Sequence, residues 1–125
     1  MDAIDTIRRI AGASAEDLGP LESWGAPSHV LSGRPVVSGI NIYTSFNGAF
    51  SAGIWQCTPG RWRVTYAQDE LCIMLSGRLV ITDSDGKSRR FAAGDTFVIP
   101  AGFHGIWEVL ETVRRVFAVH QTRAA

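Results

Sequence analysis

Residues 69–77, DELCIMLSG, and residues 94–104, GDTFVIPAGFH, decide the fold of this chain of 125 residues. In the first stretch an acid, Glu70, is followed by an unbroken apolar run, and Gly77 comes seven residues after it. In the second stretch an apolar run ends at the sequence Pro-Ala-Gly. Short apolar runs that are bounded by turn residues are typical of buried β-strands. Both stretches therefore predict strand followed by turn.

The pattern of short strands continues on both sides of these stretches. Ile40 and Ile42 alternate with polar residues, and Asn47-Gly48 is a strong hairpin signal. Turn residues separate the further predicted strands, which are Ser51–Cys57, Arg61–Tyr66, Leu71–Leu75, Arg78–Thr82, Ser88–Phe91, Thr96–Ile99, Gly105–Leu110 and Val113–Gln121. Strands of this length and spacing predict an all-β sandwich or barrel, of which the jelly roll is one form.

The first 38 residues differ from the rest of the chain. Ile4, Ile7 and Ile10 have helical spacing, which predicts one short amphipathic helix within residues 2–11. The glycines and prolines of residues 12–38 predict an irregular segment with one short strand at most, over Ser28–Leu31. We therefore expect one domain, in which residues 1–38 form an arm that packs on the barrel or a partner and residues 39–125 form the barrel.

Composition excludes some partners. Twelve basic and twelve acidic residues leave no net charge to attract nucleic acid or an anionic membrane. No apolar run approaches the roughly 20 residues that a membrane-spanning helix needs. The acidic start, without a basic and apolar signal segment, and the two cysteines, Cys57 and Cys72, lead us to expect a cytoplasmic protein.

The two stretches resemble the sequence motifs of the cupin superfamily, Glu-x6-Gly and Gly-x5-Pro-x-Gly. The wider segment from Gly53 to Val109 is similar to small single-domain cupins of unknown function, grouped with the ureidoglycine aminohydrolase and ethanolamine-utilisation cupins. The resemblance covers roughly residues 28–120. It implies a double-stranded β-helix jelly-roll barrel, commonly packed as a homodimer. It also implies that Gly77 and Gly102 are turn positions with positive φ.

The metal ligands of that superfamily are largely missing here. Its members have His-x-His before the motif glutamate and a further histidine after the second motif, and these hold a metal. In this chain Arg63–Tyr66 reads RVTY, and Gly105 stands where the last histidine is expected, one residue beyond His104. Only Glu70 maps onto a ligand position. We therefore expect no metal and no cofactor.

Three residues are candidates for acid and base chemistry: Glu70, Tyr66 and His104. A glutamate that enters a buried strand has the poorly hydrated surroundings that suit proton transfer. Because an isolated buried charge is costly, we expect Arg63 or Tyr66 to contact Glu70. The alternatives are structural: a carboxylate paired with Arg61 or Arg63, and a histidine at the rim that is bonded to backbone.

Candidate ligand-binding residues are Arg63, Trp62, Trp107 and Cys72. If Glu70 faces inward, then Cys72 and Met74 share its face. Aromatic rings in a concave site give large apolar contact with a ligand. The alternatives are core or dimer packing for the tryptophans, which we favour for Trp55, and a buried structural thiol for Cys72.

Several kinds of function are compatible with these residues, and the sequence leaves open whether the protein is an enzyme. It is expected to bind a small polar metabolite in the barrel, with metal-independent proton transfer of the isomerase or epimerase kind as its chemistry. The alternatives are a non-catalytic sensor or binding module, a metal-dependent enzyme like ureidoglycine aminohydrolase, and a dimerisation scaffold. A fold alone does not decide among them.

Overall fold

The computed structural model of the protein describes residues 3–12 and 20–121. In these ranges one short 3₁₀ turn, Ala3–Thr6, precedes nine strands, and no helix is long and apolar enough to cross a membrane. The strands are β1 (Glu22–Gly25), β2 (Val30–Gly33), β3 (Val37–Thr44), β4 (Phe50–Cys57), β5 (Gly60–Thr65), β6 (Asp69–Asp83), β7 (Ser88–Ala92), β8 (Thr96–Ile99) and β9 (His104–His120).

Two layers arise because β6 and β9 are long enough to run through both. The first part of β9 pairs with β5 and the second part with β4. Similarly, β6 pairs with β8 near its start and with β7 near its end. One layer has the order β1-β3-β4-β9-β6-β8 and the other β2-β5-β9-β6-β7. The all-β jelly-roll barrel predicted from the sequence is thus confirmed.

Gly77 lets β6 serve both layers. Before it, Cys72 and Met74 are buried, and after it the buried residues are Leu79 and Ile81, so the inward face changes from even to odd positions. The pairing with β9 is irregular here, and Gly77 has φ +89°. A Cβ at this position would collide with the carbonyl oxygen of the opposite strand. The positive φ predicted for Gly77 is confirmed, and so is that of Gly102, +95°.

The main core lies between the layers. A second, smaller cluster surrounds Ile42 and Ile54 on the other side of the β3–β4 pair, where Ile10 and Leu21 of the N-terminal segment pack against it. The buried residues of the main core are Val37, Cys57, Trp62, Cys72, Met74, Leu79, Ile81, Ile99, Trp107, Val109 and Val113. These core residues lie on β3, β4, β5, β6, β8 and β9.

The helix predicted within residues 2–11 is wrong in extent. Its first residue lies outside the described part of the chain, and only Ala3–Thr6 form a turn, of the 3₁₀ kind. Ile4 and Ile7 are 68% and 71% exposed, and Ile10 alone packs against the barrel. An apolar stripe without a surface to bury it does not stabilise so short a helix.

The segment before residue 39 contributes more to the sheets than the sequence predicted. β1 pairs with β3 and β2 pairs with β5, each as an edge strand, and β3 begins at Val37. All residues of β1 and β2 are exposed, so they lack the alternation by which a strand is recognised. Residues 13–19 of the predicted irregular segment lie outside the described ranges.

We predict that Gly77→Ala destabilises the protein more than Gly86→Ala. Both glycines have positive φ, +89° and +87°, but a Cβ at Gly86 meets no atom within 4 Å. Gly86→Ala is expected to cost about 1–2 kcal/mol from backbone strain alone. Gly77→Ala adds an overpacking penalty of about 1–3 kcal/mol. Urea unfolding measures both losses, and equal losses would contradict the close approach of the opposite strand to Gly77.

Candidate functional site

An ion pair lies between the two layers of the barrel. Arg115 on β9 is 4% exposed, and its Nη1 lies 2.5 Å from Oε2 of Glu70 on β6. The side chain of Glu70 is 13% exposed, so both charges are largely removed from water. Such a pair is tolerated when further contacts satisfy the two groups.

Arg115 is held on several sides. Its Nη1 also donates to Sγ of Cys72 at 3.3 Å. The guanidinium carbon lies 4.5 Å from the ring centre of Trp55 and 5.2 Å from that of Trp107, within the range of cation–π attraction. Burial by itself would lower the pKa of Arg115, but the neighbouring Glu70 carboxylate, with smaller contributions from nearby groups, raises it above its ordinary value. Arg115 is therefore a fixed cation.

Four aromatic rings form a cluster around this cation. Trp107 lies 5.5 Å from Trp55 and 6.1 Å from Trp62 between ring centres, and Tyr66 stacks on it at 6.4 Å. Trp107 and Trp62 are buried, whereas Trp55 and Tyr66 are partly exposed. The register explains this cluster in part, because Trp62 pairs with Trp107 and Trp55 pairs with Arg115 on β9.

A cavity of about 320 Å³ opens beside the cluster, a volume within the range of small-molecule sites. The segment from Trp24 to Ser28 forms one wall, so the N-terminal segment completes the cavity. Trp24 fits there because Gly39 on β3 has no side chain; a Cβ on Gly39 would collide with the indole ring. The full lining is Trp24, Ala26, Pro27, Ser28, Val37, Trp55, Trp62, Val64, Tyr66, Trp107 and Arg115.

A second, more open cleft adjoins this cavity. Its volume is about 410 Å³, and it shares Trp62 and Tyr66 with the cavity. Glu70 lines the cleft, together with His29 and the exposed Arg63. Of the ion pair, Arg115 thus lines the cavity and Glu70 lines the cleft.

Cys72 and Tyr66, which lie beside the ion pair, are neutral at physiological pH. Burial raises the pKa of Cys72 to about 12, although the positive charge of Arg115 opposes the shift. Burial, followed by the negative charge of Glu70, raises the pKa of Tyr66 well above its ordinary value. The site therefore contains a thiol, a phenol and one carboxylate–guanidinium pair.

Two buried N–H groups at the cavity have no acceptor within the described part of the chain. They are Nε of Arg115 and Nε1 of Trp107, whose residues are 4% and 1% exposed. Buried donors are normally paired, and each one left unpaired costs free energy of about 1–3 kcal/mol. Both residues line the same cavity.

The structure brings five of the predicted site residues together and leaves two apart. Glu70, Tyr66, Trp62, Trp107 and Cys72 surround the ion pair or the adjoining aromatic rings.

His104 and Arg63 are the two that lie apart, on positions that alternate away from the buried Trp62 and Trp107. The ring Nδ1 of His104 lies 3.3 Å from the hydroxyl oxygen of Thr65, among exposed residues. Arg63 is exposed and reaches only the outer cleft.

Arg115 is the functional residue that the sequence reading missed. We expected Arg63 or Tyr66 to contact Glu70, whereas the partner in the ion pair is Arg115. A signal was present, because Val113, Arg115 and Phe117 alternate along one strand and place an arginine on an apolar face. Trp55, which we assigned to packing, also stacks on Arg115 and lines the cavity.

The residues around Glu70 do not fit a metal ion. Among residues 3–12 and 20–121, no group of three or more His, Cys, Asp and Glu side chains could hold one. Moreover, a guanidinium already neutralises the Glu70 carboxylate, which is the one ligand position that the cupin resemblance supplied. A divalent cation would have to displace that positive charge.

Comparison with known proteins gives the following matches. The family description "EutQ-like cupin domain" matches residues 44–117. No curated protein matches the chain. A structure of unknown function from the DUF861 family of Pseudomonas syringae has a TM-score of 0.75 at 24% identity; the match covers 82% of this chain but only 45% of that one.

Two further solved structures are similar. The putative ethanolamine utilization protein Q of Salmonella typhimurium has a TM-score of 0.63 at 21% identity, with 79% of each chain covered. The EutQ protein of Clostridium difficile has a TM-score of 0.61 at 19% identity, with 70% of this chain and 69% of that chain covered. At these identities the structures support the fold and not an activity.

We predict that Glu70→Gln lowers the free energy of unfolding by about 3–5 kcal/mol, because it leaves a buried guanidinium without its counter-charge. Glu111→Gln is the matched control, since Glu111 pairs with Arg78 on the exposed surface and its loss should cost less than about 1 kcal/mol. The double variant Glu70→Gln/Arg115→Met should recover part of the loss. Equal effects of Glu70→Gln and Glu111→Gln in urea unfolding would contradict the buried pair.

Stability is also predicted to fall as the pH rises from about 9 to about 12. Burial raises the pKa of the Cys57 and Cys72 thiols from 9.0 to about 12, so over this interval the unfolded chain releases protons that the folded chain retains. The stability that the two buried thiols contribute is complete below about pH 9 and lost above about pH 12. Urea unfolding across this range should show a shallower fall for Cys57→Ala/Cys72→Ala than for the native chain. If stability fell equally with pH in the native chain and in the double variant, the raised pKa of the two thiols would be refuted.

Proposed function

Since the chain belongs to the EutQ-like cupin family, we propose that it binds a small polar metabolite inside its barrel without the help of a metal. The observation that carries this proposal is the buried Glu70–Arg115 pair, whose Arg115 lines a partly open cavity with aromatic walls. Two charges removed from water cost folding free energy, and an apolar filling would often be as stable or more so. A binding role gives a reason for their presence.

The surroundings of the pair support binding. A concave volume of about 320 Å³, aromatic walls and few polar groups are the usual features of a small-molecule site. Arg115 is fixed by Glu70, Cys72 and the tryptophan rings, so little conformational freedom remains to be lost when a ligand binds.

Binding without catalysis is better supported than proton transfer. If Glu70 took a proton from a substrate, its ion pair with the buried Arg115 would be lost. Tyr66 and Cys72 remain protonated and offer no base. His104 faces away from the cavity, beside Thr65. Isomerase-like chemistry therefore lacks an available base among these candidates, and aminohydrolase chemistry lacks a fitting metal site.

The homodimer and the cytoplasmic location expected from the sequence stay predictions. One feature favours a dimer: Leu71 and Val98, which pair across β6 and β8, are 36% and 61% exposed on the outer face of their layer. Exposed apolar side chains grouped on a sheet face are common at interfaces between subunits.

The proposal predicts a ligand response that depends on Arg115 and not on metal. Tryptophan fluorescence of the protein, pretreated with EDTA, should change saturably with at least one member of a panel of nucleobases, amino acids, sugars and small amides. Arg115→Lys should abolish that change, because lysine cannot keep the planar contacts of the guanidinium.

Arg114→Lys is the control for this experiment, since Arg114 alternates to the opposite face of the same strand. The fluorescence response of Arg114→Lys should equal that of the native protein. A panel that gives no change with the folded native protein, or a response that survives in Arg115→Lys, would contradict the proposed function.

A further inference from the structure

We infer that the cavity takes an uncharged, planar molecule that carries an amide group, with its carbonyl towards Arg115 and Trp107 and its N–H towards Glu70. This inference rests on the proposed function and specifies the ligand class of the same site. Four features support this ligand class: two unpaired donors, one free acceptor, the local balance of charge and the aromatic walls.

The unpaired donors call for a ligand oxygen. Within residues 3–12 and 20–121, Nε of Arg115 and Nε1 of Trp107 are buried and reach no acceptor. The Arg115 guanidinium carbon lies 5.2 Å from the Trp107 ring centre, and both residues line the cavity, so the two groups that carry these donors are neighbours at its wall. A carbonyl oxygen has two lone pairs and accepts from such donors. A purely apolar ligand would leave both donors unpaired.

The acceptor is provided by Glu70. Its Oε2 is bonded to Arg115 and accepts from Cys72, whereas Oε1 has no hydrogen-bond partner among the described residues. Glu70 lines the cleft that adjoins the cavity through Trp62 and Tyr66. An ionised carboxylate only accepts hydrogen bonds, so the ligand group opposite Oε1 has to be an N–H or O–H donor.

Charge balance excludes the more obvious ligand, a carboxylate. Arg115 is the one charged residue that lines the cavity in the described part of the chain, and Glu70 already neutralises it. A bound carboxylate would place a second negative charge near Glu70 in poorly hydrated surroundings, without a second buried cation. Arg63 and His29 border only the open cleft, where water weakens their effect. An amide offers the same carbonyl oxygen without the charge.

The walls select a planar shape. Trp55, Trp62, Trp107 and Tyr66 present rings whose centres lie 5.5–6.4 Å apart in successive pairs. Rings arranged in this way bury a flat ligand by stacking and edge contacts. The amide is itself planar, so a ring bearing an amide fills the cavity with one rigid body.

Benzamide and benzoate form a matched pair of probes, because they differ little in shape and differ in charge. Titration of the EDTA-treated native protein, followed by tryptophan fluorescence, should give a dissociation constant for benzamide about tenfold or more below that for benzoate. One factor of ten corresponds to 1.4 kcal/mol. Equal affinities, tighter binding of benzoate, or binding of neither probe would overturn the inference.

Glu70→Gln should reverse the preference. Without the Glu70 charge, Arg115 becomes an unpaired cation, and benzoate should bind more tightly than benzamide. If Glu70 had only a structural role, Glu70→Gln would lower stability, but benzamide would still bind more tightly than benzoate. A folded Glu70→Gln that still prefers benzamide would contradict the charge argument.

Trp107→Phe provides the second test, in case Glu70→Gln does not fold. It removes the Nε1 donor and keeps an aromatic ring, so benzamide should bind about tenfold more weakly. Unchanged affinity for benzamide would overturn the assignment of this donor. If neither probe binds while another compound of the panel responds through Arg115, the ligand class is wrong and the proposed function stands. If no compound of the panel changes the fluorescence, both the ligand class and the proposed function are wrong.

Discussion

One buried charge pair constrains the interior of this barrel. Arg115 cannot give up its proton, so once β9 places it between the layers the fold has to supply a counter-charge. Glu70 provides it from the neighbouring strand, and the aromatic rings of Trp55 and Trp107 cover the remaining surface of the cation. The same burial keeps the neighbouring Tyr66 and Cys72 neutral.

The pair also gives this cupin a different centre from the one implied by its sequence motifs. In the motif a glutamate helps to hold a metal, and here the same position faces a guanidinium. A guanidinium is a planar cation with directed donors, so it recognises a ligand by hydrogen-bond geometry and not by open coordination positions. The N-terminal segment contributes Trp24 and the residues up to Ser28 as a wall, which makes the cavity dependent on residues outside the two motifs.

The sequence predicted the barrel well because its motifs are local. Gly102 marks a turn and Gly77 an irregularity within β6 where a turn was predicted; both have positive φ, and the residues around them have apolar patterns of their own. The same local reasoning identified Glu70, Tyr66 and Cys72. It missed Arg115, which comes 45 positions after Glu70 and becomes its partner only through the pairing of β6 with β9. It also missed β1 and placed β2 only in part, over Ser28–Leu31, since exposed edge strands held by backbone hydrogen bonds have no apolar periodicity.

The arginine Nε–H signals in a ¹⁵N NMR spectrum test the central claim most directly, with Arg115→Lys used to assign the signal of Arg115. We expect this N–H to exchange with water much more slowly than the N–H groups of the exposed arginines, and its frequency to shift when a ligand enters the cavity. An Arg115 N–H that exchanges as fast as those on the surface, or that no ligand displaces, would contradict a buried cation at the centre of a binding site.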